Sequence, residues 1–420
     1  MPLFPAFRTL GRAWPIAAWF FASTASWAAT EHEEADIILD PRLELSELLE
    51  ITLERHPQAL VLRAGRSRVT AEEEFSSRWF PEAMELSGFH LSDRQLDDIG
   101  VYENEANLSF PLWLPGEKKA QNALSESVAA AQVSRNAEFR WAVSGLLRRQ
   151  LWNLTVARRQ WELAAEQENR LQEVLEQVSI FHEAGDLSRA DLLSTMQELA
   201  IWKAETMTLE AGYQDAVREF HALTGSRNVP ADISEPLTQI QEPTDSHPAL
   251  QNALDRLAQA SAETEAVRQA NSARPSVNVF WREFRGDRAS PDVNALGLGF
   301  SMPLGKSPAQ GPEVARANES LAMAEAGLLQ TRRELDLQIH EARHLLNTTR
   351  QQLENSKLMV DAANEKYHLD QLSFELGEIS VRQWLRRLSE LKEIQRSHEL
   401  LLMQQGAAIA AYNQAAGETL

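Results

Sequence analysis

Residues 171–193 read LQEVLEQVSIFHEAGDLSRADLL, and residues 363–385 read ANEKYHLDQLSFELGEISVRQWL. Each stretch contains a glycine followed three residues later by a serine, within a tract of more than a hundred residues that has no proline. These tracts cover 117–228 and 313–420. Glycine commonly ends a helix and serine commonly begins one, so each tract predicts a long antiparallel helical hairpin with its tip at the Gly-x-x-Ser segment.

The first tract has apolar residues at steps of three, four and seven, which is the spacing of a coiled-coil seam. The seam is predicted to contain Leu147, Leu151, Leu154, Trp161, Ala164, Leu171, Leu175 and Val178. At about 1.5 Å per residue, an unbroken helix over 117–182 would be on the order of 100 Å long. The sequence therefore predicts an element far longer than an ordinary globular helix.

The two halves of the chain correspond at a spacing of 191 to 192 residues. His56-Pro57 recurs as His247-Pro248, and Gly225 recurs as Gly417. A repeat of this length indicates the same order of elements in both halves. We predict a signal peptide over 1–28, a first repeat over 29–225, a linker over 226–246 and a second repeat over 247–420. Within the repeats, strand pairs are predicted over about 82–112 and 276–304, and helical hairpins over about 116–225 and 313–417.

The composition indicates an exported, acidic protein. The 420 residues carry a formal net charge of −20, which argues against nucleic acid as a partner. Arg8 and Arg12 precede an apolar run and the small-residue site Ser26-Trp27-Ala28, the pattern of a secretory signal. The chain has no cysteine, so we expect no disulfide, no thiolate metal site and no lipid anchor. After the signal, no apolar run reaches the roughly 18 to 20 residues of a membrane-spanning helix, so a membrane could be crossed only by strands.

The strand ahead of the first hairpin alternates between an apolar and a polar face. Leu108, Phe110 and Leu112 share one face, whereas Glu103 and Glu105 share the other. This alternation is typical of a membrane barrel with apolar residues toward lipid and polar residues toward the lumen. Four strands cannot close a barrel and open edges are not tolerated in lipid, so several copies of the chain would have to combine their strands. A soluble domain with two β-hairpins is the alternative.

The signal, the repeated strand pair and helical hairpin, the His-Pro dipeptides and the Gly-x-x-Ser tips together resemble the TolC-type outer-membrane efflux family. The resemblance covers about Leu43 to Gly417, and within the family it points to the CzcC-like heavy-metal branch. It implies an α+β membrane protein, a homotrimer whose twelve-stranded β-barrel in outer-membrane lipid continues as a periplasmic α-helical tunnel. It also implies two partners, a periplasmic adaptor (a membrane fusion protein) and an inner-membrane pump of the RND type that supplies the energy.

The resemblance implies roles for residues at the hairpin tips. The adaptor-docking positions are Gly185, Leu187, Ser188, Gly377, Ile379 and Ser380. Some family members narrow the periplasmic end with acidic residues after the tip, and the corresponding gate residues here are Asp191, Gln383 and Arg386. Glutamine and arginine depart from an acidic gate. Arg382, Arg386 and Arg387 could instead pair with Asp186 or Glu378 or repel cations, but a solvated helix face or pairs between copies is the favoured interpretation. Plain helix-turn punctuation is the alternative for the tips.

One local motif is that of an enzyme. His340, Glu341 and His344 match H-E-x-x-H, the helical zinc signature of metalloproteases. A zinc site needs a third ligand, and Glu365 lies on the order of 30 Å further along the same predicted helix. We therefore predict no catalytic residue, no metal site and no cofactor, and hence no enzyme.

We thus expect an outer-membrane exit duct of a tripartite efflux system, passing metal ions or small toxic compounds. Glu103 and Glu105 are predicted to lie in the barrel lumen and to give a mild cation preference. Two alternatives stay open: an outer-membrane duct for type I peptide or protein secretion, and a periplasmic coiled-coil scaffold.

Overall fold

The computed structural model describes residues 37–242, 244–270, 274–305 and 307–420. The predicted signal peptide, residues 1–28, lies outside these ranges. The first half contains β1 (Ile38–Asp40), α1 (Leu45–Arg55), α2 (Gln58–Ser77), β2 (Glu85–Ser92), β3 (Tyr102–Pro111), α3 (Glu117–Glu183), α4 (Arg189–Thr224) and β4 (Asn228–Pro230). The second half contains α5 (Pro248–Gln269), β5 (Ser276–Arg285), β6 (Val293–Ser301), α6 (Gln310–Glu375) and α7 (Val381–Ala415). In each half a helix, two strands, a long helix and a shorter helix follow one another.

The long helices α3 and α6 have 67 and 66 residues, and each is followed by a shorter helix that packs against it. In α3, most of the predicted seam is buried, including Leu147, Leu151, Leu154 and Leu171. Leu175 is only half-buried and Val174 is buried in its place, since 3.6 residues per turn shift the seam along a long helix. The packing of two apolar stripes, more than local propensity, stabilises helices of this length.

A four-stranded antiparallel sheet has the order β2-β3-β5-β6. Its central pair, β3 with β5, joins the two halves of the chain, and Leu108 lies opposite Val279 in that pair. Strands β2 and β6 are the two edges of the sheet. Separately, the short strands β1 and β4 pair in parallel.

Two apolar clusters organise the helices. Near the middle of α3, Leu147 and Leu151 pack with Leu48 of α1 and Phe220 of α4. Near the hairpin tips a second group, here called the tip cluster, contains residues of α3, α4, α6 and α7. The tip cluster consists of Leu171, Val174, Val178, Trp202, Phe374, Val381, Trp384, Leu385 and Leu388.

Within the described ranges, every helix is either too short or too polar to cross a membrane.

Candidate functional site

One face of the four-stranded sheet is apolar over three successive rows of residues. Residues directly opposite each other in an antiparallel pair point to the same side, so the register defines this face. Its rows are Leu86–Leu108–Val279–Leu298, Phe110–Val277–Phe300 and Ala106–Trp281–Leu296. Leu296 and Leu298 are each 81% exposed in the single chain. A continuous exposed apolar surface of this kind fits an apolar environment and not water.

The opposite face carries the two predicted lumen residues. Glu103 and Glu105 both lie there, and Glu105 is directly opposite Arg282. Arg282 forms an ion pair with Glu103. The sequence reasoning missed this arginine, which offsets one of the two negative charges of the glutamates.

This second face is less polar than the alternation in β3 suggests, because β2 and β5 also place aromatic side chains on it. Phe89 lies opposite Glu105, and Phe280 lies opposite Asn107 and Gly297. A Cβ atom added at Gly297 would lie 2.3 Å from the Phe280 ring, so the glycine leaves room for that ring.

The two hairpin tips have the same backbone geometry. Gly185 has a φ of 87° and Gly377 a φ of 76°, in the left-handed region that favours glycine. A Cβ atom added at either position would meet nothing within 4 Å, so these glycines serve the backbone turn and not a close contact.

A capping box follows each glycine. The Ser188 hydroxyl accepts the Asp191 backbone N–H at 3.3 Å, and the Asp191 carboxylate accepts the Ser188 N–H at 3.3 Å. Ser380 and Gln383 form the same pair, with the Gln383 side-chain oxygen 2.9 Å from the Ser380 backbone nitrogen. Asp191 and Gln383 therefore cap α4 and α7. The sequence reasoning predicted the serine caps but missed this role of the two gate candidates.

The six predicted docking residues divide into two groups. Gly185, Ser188, Gly377 and Ser380 are exposed at the tips. Leu187 and Ile379 are half-buried and pack against the tip cluster. Among these six residues, the exposed groups are therefore the glycine backbone and the serine hydroxyls, and the charged side chains of Asp186 and Glu378 are exposed beside them.

Two of the arginines after the second tip form ion pairs within the chain. Arg386 pairs with Glu390 on the same helix at 3.3 Å, and Arg387 pairs with Asp370 of α6. In the single chain, neither arginine forms the pair with Asp186 or Glu378 that the sequence left open, and the exposed Arg386 fits the favoured interpretation of a solvated helix face. The partners of Arg386 and Arg387 therefore lie one helical turn or more from the tip, on α7 and on α6.

Ion pairs also join the two hairpins at positions further along α4 and α7 from the tips. Glu205 of α4 forms ion pairs with Lys392 and Arg396 of α7. Burial acts to raise the pKa of Glu205, but the hydrogen bonds and charges of the two cations outweigh it and lower the pKa. The Lys392 ammonium also lies 4.3 Å from the centre of the Trp202 ring. These contacts hold α4 against α7.

Solved structures show where this architecture has been seen. The outer-membrane protein VceC of Vibrio cholerae has a TM-score of 0.72 and 15% identity, covering 89% of this chain and 96% of that chain. A membrane protein from Pseudomonas aeruginosa has a TM-score of 0.70 and 15% identity, with 92% of each chain covered. The CmeC outer-membrane channel of Campylobacter jejuni has a TM-score of 0.68 and 15% identity, covering 89% of this chain and 85% of that chain. The chain has the fold of an outer-membrane channel.

This fold confirms the predicted fold class at its coarser level, long helical hairpins combined with a small sheet. By sequence, the chain matches no protein-family model and no curated protein.

The H-E-x-x-H motif lies on a continuous helix in this channel fold. His340, Glu341 and His344 lie on α6, which runs unbroken to Glu375. In the described part of the chain, no three His, Asp or Glu side chains come together in a way that could hold a metal ion. The sequence matches the motif, but the described residues do not form the three-ligand site of a zinc protease.

The repeated His-Pro dipeptide has a local role that its recurrence did not reveal. The His56 Nδ1 atom accepts the Gln58 backbone N–H at 3.2 Å, and the His247 Nδ1 atom accepts the Ala249 N–H at 3.2 Å. Each imidazole thus binds a free N–H group at the start of the following helix. His247 is 2% exposed and Trp141 packs edge-on against it, with ring centres 4.9 Å apart.

Proposed function

We propose that this protein is the outer-membrane exit duct of a tripartite efflux system. Its two halves are structural repeats. Three copies combine their four strands each into a twelve-stranded barrel in outer-membrane lipid, and their long helices form a tunnel through the periplasm.

The observation that carries the proposal is the sheet, which exposes a broad apolar face and ends in two edge strands, β2 and β6. Neither feature suits a chain that stands alone in water. An apolar face fits lipid, and edge strands lose their unpaired backbone groups when neighbouring copies close the sheet. The similarity in fold to outer-membrane channels supports the same conclusion.

The proposed partners follow from the passive nature of a duct. An inner-membrane RND-type pump supplies the energy, and a periplasmic adaptor docks on the tips through Gly185, Ser188, Gly377 and Ser380, with Leu187 and Ile379 beneath them. Asp191, Gln383 and Arg386 lie at the periplasmic entrance, and Glu103 and Glu105 lie in the lumen. The cargo is metal ions or small toxic compounds, as in the heavy-metal branch that the sequence resembles.

Matched substitutions on the two sheet faces test the membrane part of the proposal. We expect the unaltered protein to be extracted from the outer-membrane fraction only with detergent, with the mass of three chains and channel conductance in planar bilayers. Leu296→Lys places a charge on the proposed lipid face, at a cost of roughly 2–4 kcal/mol, and should greatly reduce insertion. Ala295→Lys, one residue away on the other face, should still insert. Recovery of the unaltered protein as a soluble monomer would overturn the proposal.

A further inference from the structure

Helix α4 has an exposed apolar stripe that no described element covers. The stripe consists of Leu193, Met196, Ile201 and Met207, with exposed fractions of 52%, 50%, 53% and 63%. The residues 192 positions later than Leu193 and Met196 are Leu385 and Leu388 of α7, and both of these are buried in the tip cluster. The part of this surface nearest the tip is therefore packed in the second half and bare in the first.

The difference arises from what lies beside each helix. In the second half, α7 packs on α3, and Leu385 and Leu388 share the tip cluster with Leu171 and Val178 of α3. The positions of α6 that correspond to Leu171 and Val178 are Ala363 and Asp370. Ala363 and Asp370 line an open groove of about 300 Å³ between α6 and α7, together with Met359, Lys366 and Arg387. By the correspondence between the two halves, this groove is the surface on which α4 would pack, as α7 packs on α3.

Asp370 lies buried in this groove, and only one of its two carboxylate oxygens has a hydrogen-bond partner among the described residues. Its Oδ1 atom accepts from Arg387. Its Oδ2 atom is buried and accepts no hydrogen bond from the described residues. A buried carboxylate oxygen without a partner is costly, which indicates that a donor is supplied from outside this chain.

The repeat identifies that donor. Val178, which corresponds to Asp370, lies in the tip cluster with Val381, the first residue of α7. The residue that corresponds to Val381 is Arg189, the first residue of α4. Arg189 is exposed at the start of that helix. Where the packed interface has two valines, the open one has an arginine and a carboxylate.

We propose that α4 of one copy lies in the α6/α7 groove of the next copy. Arg189 of one copy donates to Asp370 of the next, and Leu193 and Met196 pack on Ala363 and the Lys366 stem. This inference rests on the proposed trimer of repeats and assigns its contact near the tips. The sheet would join the copies in the same order, because β3 pairs with β5 within the chain and β2 would pair with β6 of the next copy.

A double-mutant cycle tests the ion pair. Arg189→Gln and Asp370→Asn should each speed dissociation of the detergent-solubilised trimer, by roughly tenfold for about 1.4 kcal/mol. Arg189→Gln should have little further effect when Asp370→Asn is already present. Arg382→Gln removes another exposed arginine near a tip and serves as the control, with an unchanged dissociation rate. Additive effects of the two substitutions would overturn the ion pair.

Disulfide formation tests the packing, and the absence of native cysteine gives it a clean background. Met196→Cys combined with Ala363→Cys should give bands of two and three chain masses on oxidation. Leu388→Cys combined with Leu171→Cys, the corresponding pair within one chain, should leave the mass unchanged. A trimer that shows neither coupling nor crosslinking would overturn this inference and leave the proposed function standing. A protein that forms no oligomer would overturn both.

Discussion

His247 shows how one buried side chain makes the fold sensitive to acid. Its Nδ1 atom accepts a backbone N–H, so the neutral ring carries its proton on Nε2, which is buried without a partner among the described residues. Burial lowers the pKa of His247 to about 4 from its ordinary 6.5. Between these two values the unfolded chain takes up a proton that the folded chain does not. The free energy of unfolding should therefore fall as the pH drops from about 6.5 to about 4.

We expect this loss to be on the order of 2 kcal/mol, measured as thermal unfolding in detergent across that pH range. His247→Asn should flatten this part of the pH profile, because asparagine can still accept the helix N–H but does not titrate. His56→Asn at the corresponding cap leaves His247 in place and should retain the full pH dependence. An unchanged profile in His247→Asn would refute the assignment.

At the scale of single residues, the sequence predicted where turn and capping residues lie better than it predicted what their side chains contact. The recurrence of Gly-x-x-Ser located the serine caps, since a turn or a helix start requires particular residue types, whereas the recurrence of His-Pro marked a repeated position without its capping role. Asp191 and Gln383 were interpreted as gate residues from the family resemblance, although their position three residues after a serine is also the spacing of a capping box. The pairing of Arg387 with Asp370 joins two helices, and sequence spacing along one helix does not reveal such a contact.

At the scale of elements, α3 and α7 approach closely through a glycine. A Cβ atom added at Gly406 would lie 2.0 Å from the Trp152 ring, whereas one added at Gly212 would meet nothing within 4 Å. Gly406→Ala should therefore lower the unfolding temperature, despite the better helix propensity of alanine. Gly212→Ala, also inside a helix, should raise stability by about 0.5–1 kcal/mol. Equal effects of the two substitutions would show that the ring moves aside freely.

The tip glycines should matter for export and not for assembly. Gly185→Val or Gly377→Val forces a β-branched residue into a left-handed φ, at a cost of about 1–2 kcal/mol or more. The strain falls at the proposed docking tips, far along α3 and α6 from the sheet. We expect export to fall in a complementation assay while trimers persist on native gels. Ala184→Val, next to Gly185 but with a φ of −70°, is the control and should export normally. Loss of the trimers would contradict the docking role.

The positions of the helices and strands could be predicted from the spacing of apolar residues, because each element has one apolar face. The mixed faces of β2 and β5 could not, since Phe89 and Phe280 share a face with Glu105 and Asn107 only through the register between strands. The pairing of α7 with α3, from which the proposed contact between copies is inferred, is likewise a contact between the two halves. Neither half displays it by itself.

At the scale of the whole molecule, a duct of three copies should conduct whatever its pump delivers. Arg282 pairs with Glu103 and offsets one of the two glutamate charges, so the proposed lumen should select cations only weakly. A strain lacking the protein should become sensitive to zinc, cobalt, cadmium, copper or silver salts if metal ions are the cargo. The same panel includes dyes, detergents and antibiotics, and complementation should reverse the sensitivity. Glu103→Gln should complement as well as the unaltered protein and leave the order of sensitivities unchanged. A changed order would show that the lumen selects the cargo, because the pump and the adaptor are the same in both strains.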